Sequence, residues 1–526
     1  PVAQRLKHKD IAESGAKSVI APYPDYAGDG LNAVFDFIDG ILDLVLPSDE
    51  ICDFYGRFLE MVFFGPDEGT APFMDVIAQY AREKGYKYWR TITTGKSTGI
   101  PHDAYGLTVD KKIFGLFSEK NGTRFFLEGG KELITEDTNQ IYRVIGKKIY
   151  TSGMTTTGIM ACLRHVLKHL GIKEQDTSLM MTGGPDGDLG ANQIQSYKGR
   201  IKLIIDSGSV LFDPSGLDKE ELINIAFARH TRPRLNSLAY PEEKIGPGGF
   251  RVIRANQPFV LPDGTEVKDG LWFHRNFLSN VSMRRFIKDA DIDIFIPCGG
   301  FKDTINADNV RDFMELFEEL RIIIEGANVF FDDTARDFIS QKGIIQIRDS
   351  SANKGGVISS SIAEVLPEFI LGDRYEEMLV KNQNNRNAFV KSVFEIIQAN
   401  AIAETEMLLI LCKKTKRPLH YLSMETSEML LSLQEYLYQI LSLLRRERKI
   451  VYKILSRYVP DMLLKIIGIN KIFRVLNRPE LRPYLDAILT KKIAQCALYK
   501  YAADWEMFNI ELKQYPIETI KMLFPD

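Results

Sequence analysis

The run Thr182–Ala191, TGGPDGDLGA, places four glycines and a proline in ten residues, between an apolar strand-like stretch, SLMMTG, and a short helix-like one. A second apolar run, KLIID, follows and ends on Asp206, 23 positions after Gly183. Glycines at such a turn let the backbone approach a pyrophosphate at a helix N-terminus, and the terminal acid can accept a hydrogen bond from an adenosine ribose. Gly183, Gly184, Gly187 and Gly190 are therefore the phosphate-turn candidates and Asp206 the ribose candidate. The spacing is looser than GxGxxG. Asp186 and Asp188 would repel a pyrophosphate if they faced it, so the reading requires them to point outward or cap the helix.

Other residue types carry chemistry with a bland alternative beside each. Lys17 lies among small residues in SGAKS. A lysine packed against backbone with little solvent has its pKa lowered toward neutrality and can activate water, but the same string suits an ordinary surface turn. Asp67 follows Gly65-Pro66 after the apolar run MVFF, which puts a carboxylate at a strand's C-terminal end, where clefts form. The alternative is a Pro-Asp-Glu-Gly turn with Asp67 capping the helix TAPFMDVIAQYA. Glu68, next to it, is the second candidate. His165 and His169 are four apart on a helical pattern, yet no carboxylate or third histidine accompanies them, so no metal is expected. Arg445, Arg446, Arg448 and Lys449 read as a solvated helical face, not a nucleic-acid patch.

The elements that would position these residues follow from periodicity. LNAVFDFIDGILDLVL (Leu31–Leu46) has apolar residues at helical spacing, and MVFF (Met61–Phe64) reads as a buried strand. KNGTRFFLEGG, around Asn121-Gly122, reads as a hairpin. From Thr155 a helix leads into SLMMTG. Gly and Pro recur through 234–280, a loop-rich insertion before the strand DIDIFIPC. After Gly372 only one glycine, Gly468, remains. Leu430, Leu433, Leu437, Ile440 and Leu444 share one helical face, so the tail is helical. The expected architecture is α/β: residues 1–150 as one domain, 151–372 as a Rossmann-like dinucleotide-binding domain with its insertion, and 373–526 as an all-helical C-terminal domain.

A chain of 526 residues is too long for one core. The formal charge of −3 offers no broad attraction to nucleic acid or anionic membrane. No apolar stretch approaches the roughly 18–20 residues that span a bilayer. Cys52, Cys162, Cys298, Cys412 and Cys496 are scattered without a CxxC pair, as expected of reduced thiols in a cytoplasmic protein. The first residues, PVAQRLKHKD, are polar and basic and carry no signal-peptide pattern.

Five segments together are specific. KDIAESGAKSVI (Lys9–Ile20), FFGPDEGT (Phe63–Thr70), TTGKSTGIPHDAYGLT (Thr93–Thr108), TGGPDGDLGA, and EGANVFFDDTARDFI with SSANKGGVISSS (Glu325–Ser361) span roughly two-thirds of the chain. In these strings the chain resembles the large NAD-dependent glutamate dehydrogenases. The resemblance implies NAD-dependent oxidative deamination of L-glutamate to 2-oxoglutarate and ammonium by a homo-oligomer. It also implies that the chain is the C-terminal part of a longer protein, with the substrate domain truncated at its start. Lys17 matches the family's catalytic lysine, although Ser14 and Ser18 stand where many relatives have glycine. Asp67 matches the catalytic aspartate that shuttles protons. Lys7 and Lys9 lie where a lysine holds the substrate α-carboxylate, and the spacing does not choose between them. Ser360 matches the serine on the side-chain carboxylate, although by chemistry alone it equally suits a helix N-cap. Asn328 and Asn353 match asparagines near the nicotinamide, or are turn residues. The rivals are a dehydrogenase of another amino acid, against which Ser360 argues, and a catalytically silent, regulatory nucleotide-binding module.

Overall fold

A computed structural model of the protein describes residues 6–8, 18–26, 28, 30–48, 50, 61–64, 74–92, 142–145, 148–151, 153–228, 235–380 and 382–525. Lys9, Lys17 and Asp67, like the hairpin expected around Asn121-Gly122, lie outside these residues. The centre is a seven-stranded sheet: β1 (Ser178–Thr182), β2 (Arg200–Ile205), β3 (Ser209–Phe212), β4 (Phe250–Ile253), β5 (Ile294–Pro297), β6 (Ile322–Ile324) and β7 (Ile345–Ile347). Its order is β7-β6-β5-β1-β2-β3-β4. All neighbours pair in parallel except β3 with β2 and β4 with β3. The chain leaves β1 toward β2 and later returns to β1's other side with β5. The C-terminal ends of β1 and β5 are thus the switch point at which doubly wound sheets bind ligands.

The sheet is covered on both faces, and successive side chains show it. Leu179 and Met181 join one apolar cluster and Met180 the other. Ile294 and Ile296 likewise oppose Phe295, and Ile322 and Ile324 oppose Ile323. This period of two explains why these strands read as continuous apolar runs. One face packs against α1 (Met154–Leu170) and the helical tail, and the other is rich in phenylalanine.

The loop-rich segment 234–280 also supplies β4, so it forms an edge of the sheet and is not only an insertion of loops. Phe250 and Val252 are buried while Arg251 and Ile253 are half-buried, an alternation hidden in the sequence by the surrounding Gly and Pro. In the N-terminal part, helices Gly30–Val45 and Met74–Glu83 share a small core with Trp89 and Ile92. Among the described residues Met61–Phe64 is not a strand ladder. Phe64 N–H donates to Ile92 O at 2.7 Å.

After β7 the chain continues as a nearly unbroken helical run, Asp349–Arg374, which by length and composition could cross a membrane. This corrects the expectation that no stretch qualifies. The most apolar window of the run is 78% buried inside the protein, as a core helix is. Four of its pieces matter: α2 (Asp349–Ala352), α3 (Gly355–Ser359), a π-helical turn Ser360–Val365 and α4 (Leu366–Leu371). Serines conceal the run in the sequence. Two of their hydroxyls are satisfied by bonding back to the preceding turn, Ser359 to Gly356 O and Ser360 to Val357 O.

The tail then forms α5 (Gln383–Thr415), α6 (Leu419–Gln439) and α7 (Arg482–Tyr501) among shorter helices. α5 packs along α1, and α6 along α7. The leucine face is real but broken. Leu430, Leu433, Leu437 and Leu444 are buried, while α6 ends at Ile440 and a new turn begins. In the basic run after it, Arg445 forms a bidentate pair with Asp486, and Arg448 stacks over Tyr452 and Phe473.

Candidate functional site

The glycine turn sits at the switch point. Gly183 adopts φ +76°, and a Cβ there would meet Gly299 N at 2.9 Å, at the end of β5. Gly184 lies against Asp206: an added Cβ would stand 2.1 Å from Oδ2. Gly190 approaches Gly184 O so closely that a Cβ would come within 2.4 Å. These three positions admit glycine for steric reasons. Gly187 differs. It has φ −82°, its nearest neighbour would be 3.5 Å from a Cβ, and it serves as N-cap of the helix Asp188–Ser196. The turn therefore delivers the chain into a helix N-terminus beside an acid, the arrangement that accommodates a dinucleotide's pyrophosphate and ribose.

Asp206 directly follows β2 and is only 5% exposed. Its Oδ1 accepts from Gly208 N, Ser209 N and Ser237 Oγ, and its Oδ2 accepts from Ser237 N at 2.8 Å. Among the described residues, Oδ2 is the atom with capacity for a further donor, and it is the atom facing Gly184. Burial, and then the charge of Asp186, push the Asp206 carboxyl up to about 6 against the pull of those hydrogen bonds. The Asp186 Oδ2 accepts from Ser207 Oγ at 2.6 Å, beside Asp206. Two acids therefore stand at the ribose end.

Across the crevice, Asn328 follows β6. Asn353 Nδ2 donates to Asn328 Oδ1 at 3.0 Å and to Gly326 O at 2.9 Å. Lys7 Nζ donates to the same Asn328 oxygen at 3.0 Å. Three residues predicted from separate strings thus meet at one atom. The loop that carries Asn328 is rigidly held. Arg336 grips Glu325 with Nε at 2.9 Å and Nη2 at 2.6 Å, both side chains being buried, and Gln346 adds a bond at 3.0 Å. Val329 adopts φ +49°, a left-handed conformation that a β-branched residue rarely takes. It is pinned there by Val329 N donating to Asp349 Oδ2 and by Asp303 N donating to Val329 O, each at 2.8 Å. Strain of this kind, worth about 1–3 kcal/mol, persists only where the surroundings over-determine the backbone.

Ser360 is buried at the start of the π turn and is not a helix N-cap, since Ser359 before it is already helical. Its hydroxyl donates to Val357 O at 2.9 Å, so it must leave that carbonyl to donate to a carboxylate. The π turn packs against Trp89–Thr91 of the N-terminal part, and nearby Arg90 pairs with Glu368 at 3.3 Å.

Sequence reasoning missed a buried polar cluster behind Asn353. Lys354 Nζ donates to both oxygens of Glu404 at 2.6 Å and to His8 Nδ1 at 2.9 Å. His8 Nε2 lies 2.9 Å from Ser427 Oγ, and Tyr499 OH lies 3.2 Å from Glu404 Oε2. Because the lysine can only donate, His8 Nδ1 must accept, which places the imidazole proton on Nε2 toward Ser427. Burial, with Lys354 and Lys491 nearby, holds the His8 imidazole well below its usual range and therefore neutral. The one sequence signal was Lys354 itself, a lysine wedged inside ANKGG. His165 and His169 hold no metal cluster among the described residues, and His165 lies 2.5 Å from Glu406.

A family model described as Glutamate/Leucine/Phenylalanine/Valine dehydrogenase matches residues 146–408. The chain is 35% identical over 515 residues to glutamate dehydrogenase 2 of Dictyostelium discoideum, covering 96% of this chain and 43% of that protein. It is 31% identical over 522 residues to the NAD-specific glutamate dehydrogenase of Neurospora crassa, covering 96% and 43%. The corresponding enzyme of Saccharomyces cerevisiae is 30% identical over 521 residues, covering 95% and 42%. The chain thus spans less than half the length of these curated relatives. Among solved structures, it is similar at 14% identity to the glutamate dehydrogenase of Thermus thermophilus, covering 80% of this chain and 72% of that one with a TM-score of 0.44.

Proposed function

Because the chain belongs to the glutamate/leucine/phenylalanine/valine dehydrogenase family, we propose that the protein converts L-glutamate, water and NAD to 2-oxoglutarate, ammonium, NADH and a proton. The observation that carries this reading is the convergence of Lys7, Asn328 and Asn353 across the switch point from a glycine turn and a buried acid. The names of the relatives, NAD-specific glutamate dehydrogenases, support the choice of substrate and cofactor.

Gly183, Gly184 and Gly190 would hold the pyrophosphate, with Gly187 at the helix N-terminus. Asp206 would take a ribose hydroxyl, and Asn328 and Asn353 would border the nicotinamide. Bound NAD supplies the hydride acceptor. Lys7 is favoured over Lys9 for the substrate α-carboxylate because it stands beside Asn328. Ser360 would take the side-chain carboxylate. Lys17, as a neutral amine, would deprotonate the water that attacks the imine carbon, and Asp67 would carry protons to the departing nitrogen. We further propose a substrate domain over 1–150, a cofactor domain over 151–372 and a helical domain over 373–526, in a cytoplasmic homo-oligomer. The oligomer is testable by sedimentation velocity.

The decisive experiment is glutamate-dependent NADH formation by the full-length protein, run beside a panel of other amino acids and beside NADP. The expected result is turnover with glutamate and NAD, and its loss in Lys17→Ala and Asp67→Asn with NAD binding retained. Greater activity on an aliphatic or aromatic amino acid would shift the reading within the family. NAD binding without turnover on any amino acid would favour a regulatory module. Equal kcat/KM with NAD and NADP would contradict the role of Asp206.

A further inference from the structure

The N-terminal segment and the ANKGG turn are joined residue for residue. Asn353 reaches Lys7 through Asn328 Oδ1, and Lys354 bonds His8 directly at 2.9 Å. Behind this double grip stand three helices of the tail. α5 supplies Glu404, which takes Lys354 with both oxygens; α6 supplies Ser427, which takes His8; and α7 supplies Tyr499, which bonds Glu404. Ser427 also bonds back to Ser423 O at 2.9 Å and to Leu6 O at 3.3 Å. Ser423 in turn bonds Ser351, two residues before Asn353, at 2.7 Å. The matched family region ends at residue 408, so Ser427 and Tyr499 lie beyond it.

Two observations say that this cluster sets geometry and does more than hold the fold together. First, His8 is 7% exposed and adopts φ +57°, an uncommon conformation for a non-glycine residue, held here by Lys354 on one ring nitrogen and Ser427 on the other. Second, a buried lysine–glutamate pair is a poor source of stability, because well-packed apolar residues of similar volume do as well or better there. What the pair supplies that leucine and methionine would not is a directed hydrogen bond to His8, the neighbour of Lys7.

We propose that the helical tail forms a working wall of the substrate cleft, with Glu404, Lys354, His8 and Ser427 as positioning residues that hold Lys7 against Asn328. The proposal rests on the reading of Lys7 as a substrate-facing residue in an amino-acid dehydrogenase. None of the four need touch substrate or NAD. Each acts through the next, and the endpoint is the placement of one ammonium group.

The test uses the full-length protein and the double variant Lys354→Met/Glu404→Leu, which removes both buried charges together and keeps their volume. The expected result is a melting temperature close to wild type and NADH affinity within about threefold. The kcat/KM for glutamate should fall about tenfold or more, mainly through KM, as for loss of a hydrogen bond to a charged group. Amide hydrogen exchange in the peptide spanning Leu6–His8 should become faster while β1 and β5 keep their protection. Ser427→Ala, which removes from the inner face of α6 the hydroxyl that meets His8, Leu6 and Ser423, is the second variant should the double variant fail to fold. It should raise the KM for glutamate and speed exchange at Leu6–His8 without lowering the melting temperature. A folded double variant or Ser427→Ala protein with wild-type KM and wild-type exchange at Leu6–His8 would overturn the proposal. A wild-type protein inactive on every amino acid would instead overturn the functional reading, and the exchange measurement would still decide whether the tail holds this segment.

Discussion

Lys7 and Asn328 stand 321 positions apart in the chain and 3.0 Å apart in space, the lysine donating to the asparagine's side-chain oxygen. Asn353 donates to that oxygen as well. Two donors on one oxygen fix the orientation of the Asn328 amide and leave its NH2 end as the group it can offer elsewhere.

Replacing Lys7 by Met keeps the aliphatic stem and removes the charge. Loss of one hydrogen bond to a charged partner is worth about 1.5–3 kcal/mol, so the KM for glutamate should rise by about 10- to 100-fold. NADH affinity, measured by fluorescence titration, should stay within about threefold. Unchanged glutamate KM would transfer the carboxylate role to Lys9.

The glycines of the turn should not behave alike. Gly184→Ala drives a methyl into the Asp206 carboxylate, which four hydrogen bonds keep from moving. Overpacking of that kind costs about 1–3 kcal/mol, and calorimetry should find NADH affinity lowered by about tenfold or more. Gly187→Ala meets nothing closer than 3.5 Å and should bind almost as wild type does. Equal losses at the two positions would mean that the turn, not the contact with Asp206, governs binding.

Asp206 predicts opposite pH trends for stability and for binding. Its folded pKa, about 6, lies above its unfolded value near 4, so the folded protein holds its proton more tightly. This group's contribution to stability is present below about pH 4 and is lost as pH rises through 6, a change of about 3 kcal/mol. NAD affinity should rise over the same interval, because the ionised carboxylate is the better acceptor for a ribose hydroxyl. Binding and melting measured from pH 4.5 to 8 check both trends, and in Asp206→Asn the binding curve should flatten.

Arg336→Met leaves Glu325 charged, buried and without its clamp, which should destabilise the protein by about 3–5 kcal/mol. Adding Glu325→Gln removes the stranded charge and should recover part of that loss. Thermal melts of the two variants decide it. A single variant that melts like wild type would show that the pair is replaceable by solvent.

What could be read from the sequence was what a short stretch of backbone demands. Gly183 must be glycine for its φ, and Gly184 for its contact with Asp206, so both appear as residue types at a fixed interval from the acid. Of the seven strands, β1, β2 and β5 were legible, because burial on two faces leaves apolar runs, and β4 was obscured by the turns that flank it. Lys354, Glu404, His8 and Ser427 were not legible. Their spacings of 50, 346 and 419 positions leave no local pattern, and each alone is an ordinary polar residue. The Asp349–Arg374 helix was concealed for the converse reason, since its serines look polar in a list of letters, while Ser359 and Ser360 bond back to their own turn in the fold.

The pairing of β1 with β5 also governs how this chain is made. Ser178 N–H at the start of β1 bonds the carboxylate of Asp293, 115 positions later. At a synthesis rate of about 5–20 residues per second, β1 leaves the ribosome on the order of ten seconds before its neighbour exists. During that interval SLMMT is an apolar strand with an open edge, the kind of segment that aggregates and that chaperones shield. His8 waits longer still, for Lys354 and then Ser427. Residues near the start of this sequence thus reach their native contacts only after partners hundreds of positions later have been made, and pairing over such separations is slow.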